Sequence, residues 1–279
     1  KMKQIISIQA LFFILNLIFI SNVSIAAADC YSKVDGSKMA NGLEDISRAS
    51  GCWSNPAYYD INFYEMRVCS SIPTAPTTST TFDLTNCPVV LSSPLGGLVE
   101  VKDGVSSAIP GTITRPPNGT YTHGFVKVSN IFKIKGDVDF GSSSNLSVQS
   151  NRYCITNTGS QTTNSRINGI CSSSSGVTPG LLTTEKVSFS GGVDVTKTGT
   201  RGTAYLLDSN EYLASDTTQA ETDFVEQVKE LTSPVIFDNS VTNINIVATV
   251  KKGMTVTLNS NGTKVRFDIG PFDLDIQVQ

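Results

Sequence analysis

The stretch INIVATVKKGMTVTLNSNGTKVRFDIGPFDLDIQV, residues 244–278, decides the fold class through its turns and its parity. Ile244, Ile246, Ala248 and Val250 alternate with other positions, and Lys251-Lys252-Gly253 follows. Glycine in the third place of a three-residue loop suits a hairpin, because it adopts the left-handed backbone at little cost. Such a hairpin pairs Val250 with Met254, Ala248 with Val256 and Ile246 with Leu258. Asn261-Gly262 predicts a second, two-residue turn. It pairs Leu258 with Val265, Val256 with Phe267 and Met254 with Ile269. Both turns put the same residues on one face, and a slip of one residue would expose them all. Phe272, Leu274, Ile276 and Val278 continue the alternation, with Asp273, Asp275 and Gln277 on the other side.

The same period runs through residues 121–140. Val126, Val128, Phe132, Ile134, Val138 and Phe140 share one parity. His123, Lys127, Lys133, Lys135, Asp137 and Asp139 share the other. This predicts a strand, or a hairpin broken near Gly136, with one buried face. Residues 58–69 also read as a strand. Their apolar phase switches from Tyr59, Ile61 and Phe63 to Met66 and Val68, which places a bulge near Tyr64-Glu65. One amphipathic helix is expected after Thr218-Gln219-Ala220-Glu221, which has capping-box spacing. Its stripe is Ala220, Phe224, Val228 and Leu231, with Val225 beside it, and Pro234 ends it. A shorter helix is expected near Met39 to Ile46. Polar tracts such as 70–76 and 172–175 read as loops. The expected fold is therefore mainly all-β, an antiparallel β-sandwich with long polar loops and one helix.

Residues 1–28 have the pattern of a secretory signal peptide. Lys1 and Lys3 precede an apolar run from Ile5 to Ile20, and Ala26-Ala27-Ala28 offers a small-residue cleavage site. The run is short for a membrane span, so an uncleaved anchor is the lesser reading. Asp29 before Cys30 does not fit a lipoprotein site, and no early glutamate marks a pilin leader. The remaining chain divides at residues 172–182 into a cysteine-containing β domain, 29–180, and a C-terminal β region, 181–279, or runs through as one unit.

The 279 residues hold 21 Lys and Arg against 24 Asp and Glu, so nothing here attracts nucleic acid. All six cysteines, Cys30, Cys52, Cys69, Cys87, Cys154 and Cys171, follow the leader. An even count in an exported chain predicts disulfides, and nearest-neighbour pairing is the working expectation among 15 possible sets. Zinc is the rival, but there is no C-x-x-C and His123 is the only histidine.

Cys52-Trp53-Ser54-Asn55-Pro56-Ala57-Tyr58-Tyr59 with Phe63 to Cys69, and Gly119-Thr120-Tyr121-Thr122-His123 with Val126 to Gly136, are distinctive. With the leader and Gly270-Pro271-Phe272, they resemble a group of exported β-rich proteins of marine bacteria. The resemblance implies export and a β-rich fold, and no particular activity. More loosely, the Gly-Thr-Tyr step into a strand is similar to β-sandwich modules of bacterial surface proteins and adhesins, which implies a surface role.

No G-x-S-x-G elbow is present to work with His123, and the cysteines are expected to be oxidised, so a hydrolase triad is not expected. The aspartate pairs Asp137/Asp139 and Asp273/Asp275 could serve a cation or an acid–base pair, the latter pair being the candidate metal ligands. An acidic row on a strand is more often a solvated face. Asp208-Ser209-Asn210 begins like a calcium loop, but Leu213 and Gln219 stand where glycine and glutamate belong. Trp53, Tyr58, Tyr59 and Tyr64 are the candidate ligand-stacking aromatics, with core packing as the competing role. Asn118 and Asn261 head glycosylation triplets that are also Asn-Gly turns. The expectation is a secreted or cell-envelope structural or adhesive protein without catalysis or cofactor. Its partners would be surface glycans or envelope proteins, and it would meet the membrane only through the leader. A carbohydrate- or Ca²⁺-binding module is the alternative, and a hydrolase using a carboxylate pair is the second.

Overall fold

The computed structural model describes residues 52–101, 107, 109–139, 153–160, 169–174, 176–184, 186, 192–194, 202–214, 222–250, 253–258, 265–270 and 272–279. The leader, the short helix expected near Met39 to Ile46, Phe140, the Thr218–Glu221 capping box and the Asn261-Gly262 turn lie outside those residues.

Eighteen strands are described: β1 Cys52–Ser54, β2 Tyr58–Cys69, β3 Val89–Val101, β4 Thr112–Ile113, β5 Gly119–Ser129 and β6 Lys133–Lys135. They continue with β7 Asp137–Asp139, β8 Tyr153–Thr156, β9 Gly159–Ser160, β10 Gly169–Ser172, β11 Leu182–Thr183 and β12 Gly192–Asp194. The last six are β13 Gly202–Leu207, β14 Phe224–Phe237, β15 Ile244–Thr249, β16 Met254–Leu258, β17 Val265–Ile269 and β18 Asp273–Val278. The protein is all-β among its described residues, and its ladders are antiparallel except for the β9–β11 contact.

The central sheet has ten strands. Its main path is β12-β13-β14-β5-β2-β6-β11-β9, with β3 on β2 and β4 on β3. Strand β2 organises it. One edge of β2 pairs with β3, and the other is shared by β6 at Tyr58–Asp60 and β5 from Phe63 to Cys69. Strands β5 and β6 are thus one run along β2, interrupted at residues 130–132. Three small sheets complete the fold: β1-β16-β17, β10-β8-β7 and β15-β18.

The main core gathers side chains from all four sheets. Tyr59, Ile61 and Phe63 of β2 join Val126 and Val128 of β5, Ile134 of β6, Val138 of β7, Cys154 of β8, Val256 of β16, Phe267 of β17 and Ile276 of β18. The parity read for residues 121–140 is that of the buried face. The bulge in β2 is also present, as a register shift between Phe63 and Glu65 on both of its edges.

Two sequence expectations are corrected. The amphipathic helix is not formed over its described part, because residues 224–237 are strand β14. Phe224 and Val228 stand four apart, a spacing that fits a strand face as well as a helix stripe. Val225, Val228, Val235 and Ile236 are β-branched and favour the strand, and β13 and β5 pair with both edges. Pro234 is accommodated where the β14–β5 register shifts between Glu230 and Val235. The second correction concerns β15. It pairs with β18, as in Ile246↔Ile276 and Ala248↔Leu274, and not with β16. The two edges of β16 are taken by β17 and β1. The β16–β17 register, Met254↔Ile269, Val256↔Phe267 and Leu258↔Val265, is the one the second turn predicts. Ala248 and Val250 remain buried in the same core, so the parity of this region holds while one partner changes.

Two disulfides are described, Cys69–Cys87 and Cys154–Cys171, both nearest-neighbour pairs. Cys52 is also disulfide-bonded, and Cys30, its expected partner, lies outside the described residues.

Glycines in the sheets separate into tolerant and intolerant positions. A Cβ at Gly124 would meet only Leu231 Cδ2, at 3.5 Å, an ordinary contact. A Cβ at Gly169 would lie 2.8 Å from the Phe267 ring and 3.0 Å from the Val265 carbonyl oxygen. Gly124→Ala is therefore expected to gain about 0.5–1 kcal/mol in urea denaturation, by restricting the unfolded chain. Gly169→Ala is expected to lose roughly 1–2 kcal/mol through overpacking.

Candidate functional site

The bulge decides what the second face of the central sheet presents. Before it, Tyr58, Asp60 and Asn62 lie opposite the core-facing residues. After it, Glu65, Arg67 and Cys69 do. A bulge places two successive residues against one partner, and this re-aims everything beyond it. The second face carries its own smaller core: Cys69, Phe82, Cys87, Phe125 and Val228, with Tyr205 packed against it. Phe82 meets Phe125 and Tyr205 edge-on, at 5.4 and 5.2 Å between ring centroids. Residues 70–88 form a strap over this face, closed at its base by Cys69–Cys87.

Beside that core runs a row of charges. The register places Glu65, Lys127 and Glu226 side by side on β2, β5 and β14, with Tyr205 of β13 next. Arg67 binds both carboxylate oxygens of Glu65, at 2.5 and 3.1 Å, and donates to the Cys87 carbonyl at 2.9 Å. The Lys127 ammonium pairs with Glu211 and lies 4.1 Å from the centroid of the Phe224 ring. Glu211 has a φ of 65° in the loop after β13. The Asp208 carboxylate holds that loop by accepting from the amides of Asn210 and Tyr212. The Leu213 amide ties the loop to the strap at Thr77. Glu226 is only 2 % exposed, and burial pushes its carboxyl up to about 8 despite the nearby Lys127. Three carboxylates here face two cations, so the row balances when Glu226 keeps its proton. This is a load of charge consumed within the fold, and it locks the 208–214 loop onto the sheet.

Three of the candidate aromatics, Tyr58, Tyr59 and Tyr64, have separate surroundings. Tyr59 is fully buried between Phe132 and Phe272, and its hydroxyl donates to the Gly270 carbonyl at 3.1 Å. Tyr58 lies on the opposite face, near Lys135 and hydrogen-bonded to Asp60. Burial, then Asp60, pushes its phenol up to about 12. Tyr64 packs edge-on against Phe224 at 5.2 Å. Trp53 sits in β1 opposite Thr255. Asp273 and Asp275 occupy β18 opposite Thr249 and Val247. Asp137 and Asp139 flank Val138 in β7. Partial desolvation, then the Asp139 charge, raises the Asp137 carboxyl. Among the described residues, no group of three or more His, Cys, Asp or Glu side chains is arranged to hold a metal ion. His123 lies in β5 opposite Cys69 and Glu230, with its Nδ1 2.9 Å from the Thr122 hydroxyl.

A concavity opens where the strap meets the start of β5. It is open to solvent, has a volume of about 490 Å³ and is lined by Arg67, Asn86, Pro88, Asn118, Thr120 and Tyr121, among others. Its walls are fixed from both sides. On one, the Cys69–Cys87 bridge anchors residues 84–88. On the other, Tyr121 donates to the Pro117 carbonyl at 2.9 Å, Arg115 donates to Asn118 at 2.7 Å and to the Asp238 carbonyl at 2.6 Å, and Asn118 donates to Asn239 at 2.9 Å. Sequence reading missed this place. Its traces were Asn118-Gly119 read as a turn and the Gly119-Thr120-Tyr121 step into a strand, and neither shows a concavity, which arises from two segments that meet only through the β2–β5 pairing.

These features define a disulfide-bonded protein, all-β among its described residues, whose central sheet contributes to two hydrophobic cores. Compared with family models, curated proteins and solved structures, the chain finds no match.

Proposed function

We propose that this protein is an exported, non-catalytic β-protein serving as a structural or adhesive part of the cell envelope or its surroundings. The observation that carries this reading is the place of its disulfides. Cys69, Cys87 and Cys154 are at most 1 % exposed and belong to the two cores, so oxidised sulfur is part of the packing. Such bridges form and persist in oxidising compartments. The leader-like residues 1–28 and the resemblance to exported β-rich proteins and surface modules support the same address. We read the architecture as sandwich-like, with the β1-β16-β17 and β15-β18 sheets laid on the core face of the central sheet. The shared core supports that arrangement. Pairing of Cys52 with Val256 joins distant parts of the chain, which suits a module that must resist unfolding outside the cell.

The test is expression of the full chain in a bacterium, followed by fractionation, labelling of intact cells with a membrane-impermeant amine reagent, and attachment of protein-coated beads to polysaccharide and cell surfaces. Labelled or released protein and bead attachment are expected. A cytosolic, unlabelled product with reduced cysteines would contradict export, and inert beads would contradict adhesion. The concavity favours a second reading, a carbohydrate-binding module.

A further inference from the structure

We propose that the concavity between residues 84–88 and 117–121 binds a neutral saccharide unit; this rests on the surface-exposed reading above and gives it a ligand class. The volume, about 490 Å³, lies in the range that holds small ligands, roughly 300–1,000 Å³. The chemistry of the lining selects among them. Arg67 is the one cation among the lining residues, and its guanidinium is already engaged by Glu65 and by the Cys87 carbonyl. An anion would have to compete with a carboxylate that binds it through two oxygens.

What remains is neutral and suited to hydroxyl groups. The Asn86 amide and the Thr120 hydroxyl line the concavity and have no side-chain partner among the described residues. An amide offers two donors and an acceptor, and a hydroxyl offers both roles. Pro88, Pro117 and Leu84 give apolar surface for the C–H faces of a sugar ring. Asn118 is held through Arg115 and Asn239 and stands pre-positioned on the opposite wall. Asn118 then needs little ordering on binding, which preserves affinity for a small ligand.

The experiment begins with a glycan microarray probed with the purified, oxidised, leader-free chain. Each positive sugar is then titrated in amide-resolved NMR, with sodium sulfate as the anionic control. Saturable shifts are expected at the Asn86 side-chain amide and at the Gly119 and Thr120 backbone amides, with none from sulfate. The double variant Asn86→Ala/Thr120→Ala, two exposed positions, is expected to weaken binding at least tenfold and to leave the remaining spectrum in place. A blank array, sugar-induced shifts elsewhere in the sheet, or shifts produced by sulfate alone would overturn the proposal. Bead attachment that survives in the double variant would remove the site's role and leave the adhesive reading standing. Sugar binding without bead attachment would do the reverse.

Discussion

Glu226→Gln is expected to make the protein markedly more stable at pH 8 and to change it little at pH 5. Burial raises the Glu226 carboxyl from 4.5 to about 8 in the folded protein. Below pH 4.5 both folded and unfolded chains hold the proton, and the group contributes no pH dependence. Between pH 4.5 and 8 the folded chain keeps a proton that the unfolded chain has released, so stability falls as pH rises. Above about 8 both states are ionised and the loss is complete. Over that window the loss is of the order of 3–5 kcal/mol. Glutamine keeps the shape and polarity of the protonated acid but cannot ionise. Urea denaturation of both proteins at pH 5, 6.5 and 8 reads the effect directly. The variant is expected to lose most of the decline between pH 5 and 8. The same slope in both proteins would mean that Glu226 is not the proton holder in the Glu65–Lys127–Glu226 row. Asp60 and Asp137 are also raised, yet they start from 3.8, so their titration weighs on the acid end of the window.

The second large effect belongs to the strap. Cys69→Ser/Cys87→Ser is expected to cost about 3 kcal/mol by loop entropy alone, for a bridge spanning 18 residues. In a chain of this size that lowers Tm by roughly 6–12 °C. The loss should be uneven. Phe82 reaches the second core only through the strap, where it packs against Phe125 and Tyr205. Freed at its base, the strap should open before the main core melts. Limited proteolysis is then expected to cut within residues 70–86 while β2 and β5 stay protected. A Tm unchanged within about 2 °C, or cutting spread evenly along the chain, would show that the strap is held by its other contacts.

Much of the main core could be read from parity. Val126, Val128, Phe132, Ile134 and Val138 are buried as the period-two pattern requires, and the β16–β17 register follows from the place of its turn. The bulge in β2 was legible because a change of apolar phase has few other causes. The failures share one physical origin, which is that partners are chosen by the whole sheet. Strand β15 has the right buried face but pairs with β18, since β1, from the far end of the chain, occupies the edge of β16. Phe224 and Val228 satisfy two periodicities, and only β5 and β13 decide between them.

The second core was invisible for a related reason. Phe125 falls on the parity that carries His123 and Lys127, so it reads as the solvent side. The strap makes that side an interior. The buried Glu226 and the concavity depend on the same long-range assembly, and neither has a local motif. For the cysteines, spacing left 15 pairings open, and the two described bridges, Cys69–Cys87 and Cys154–Cys171, are among the three nearest-neighbour pairs expected.

The most direct test of the whole account is a disulfide map of the protein recovered from a native envelope or medium, alkylated before and after reduction. No alkylation of Cys69, Cys87, Cys154 or Cys171 is expected before reduction, with linked peptides joining Cys69 to Cys87 and Cys154 to Cys171. Free thiols at these positions, or bridges that cross between the two pairs, would contradict it.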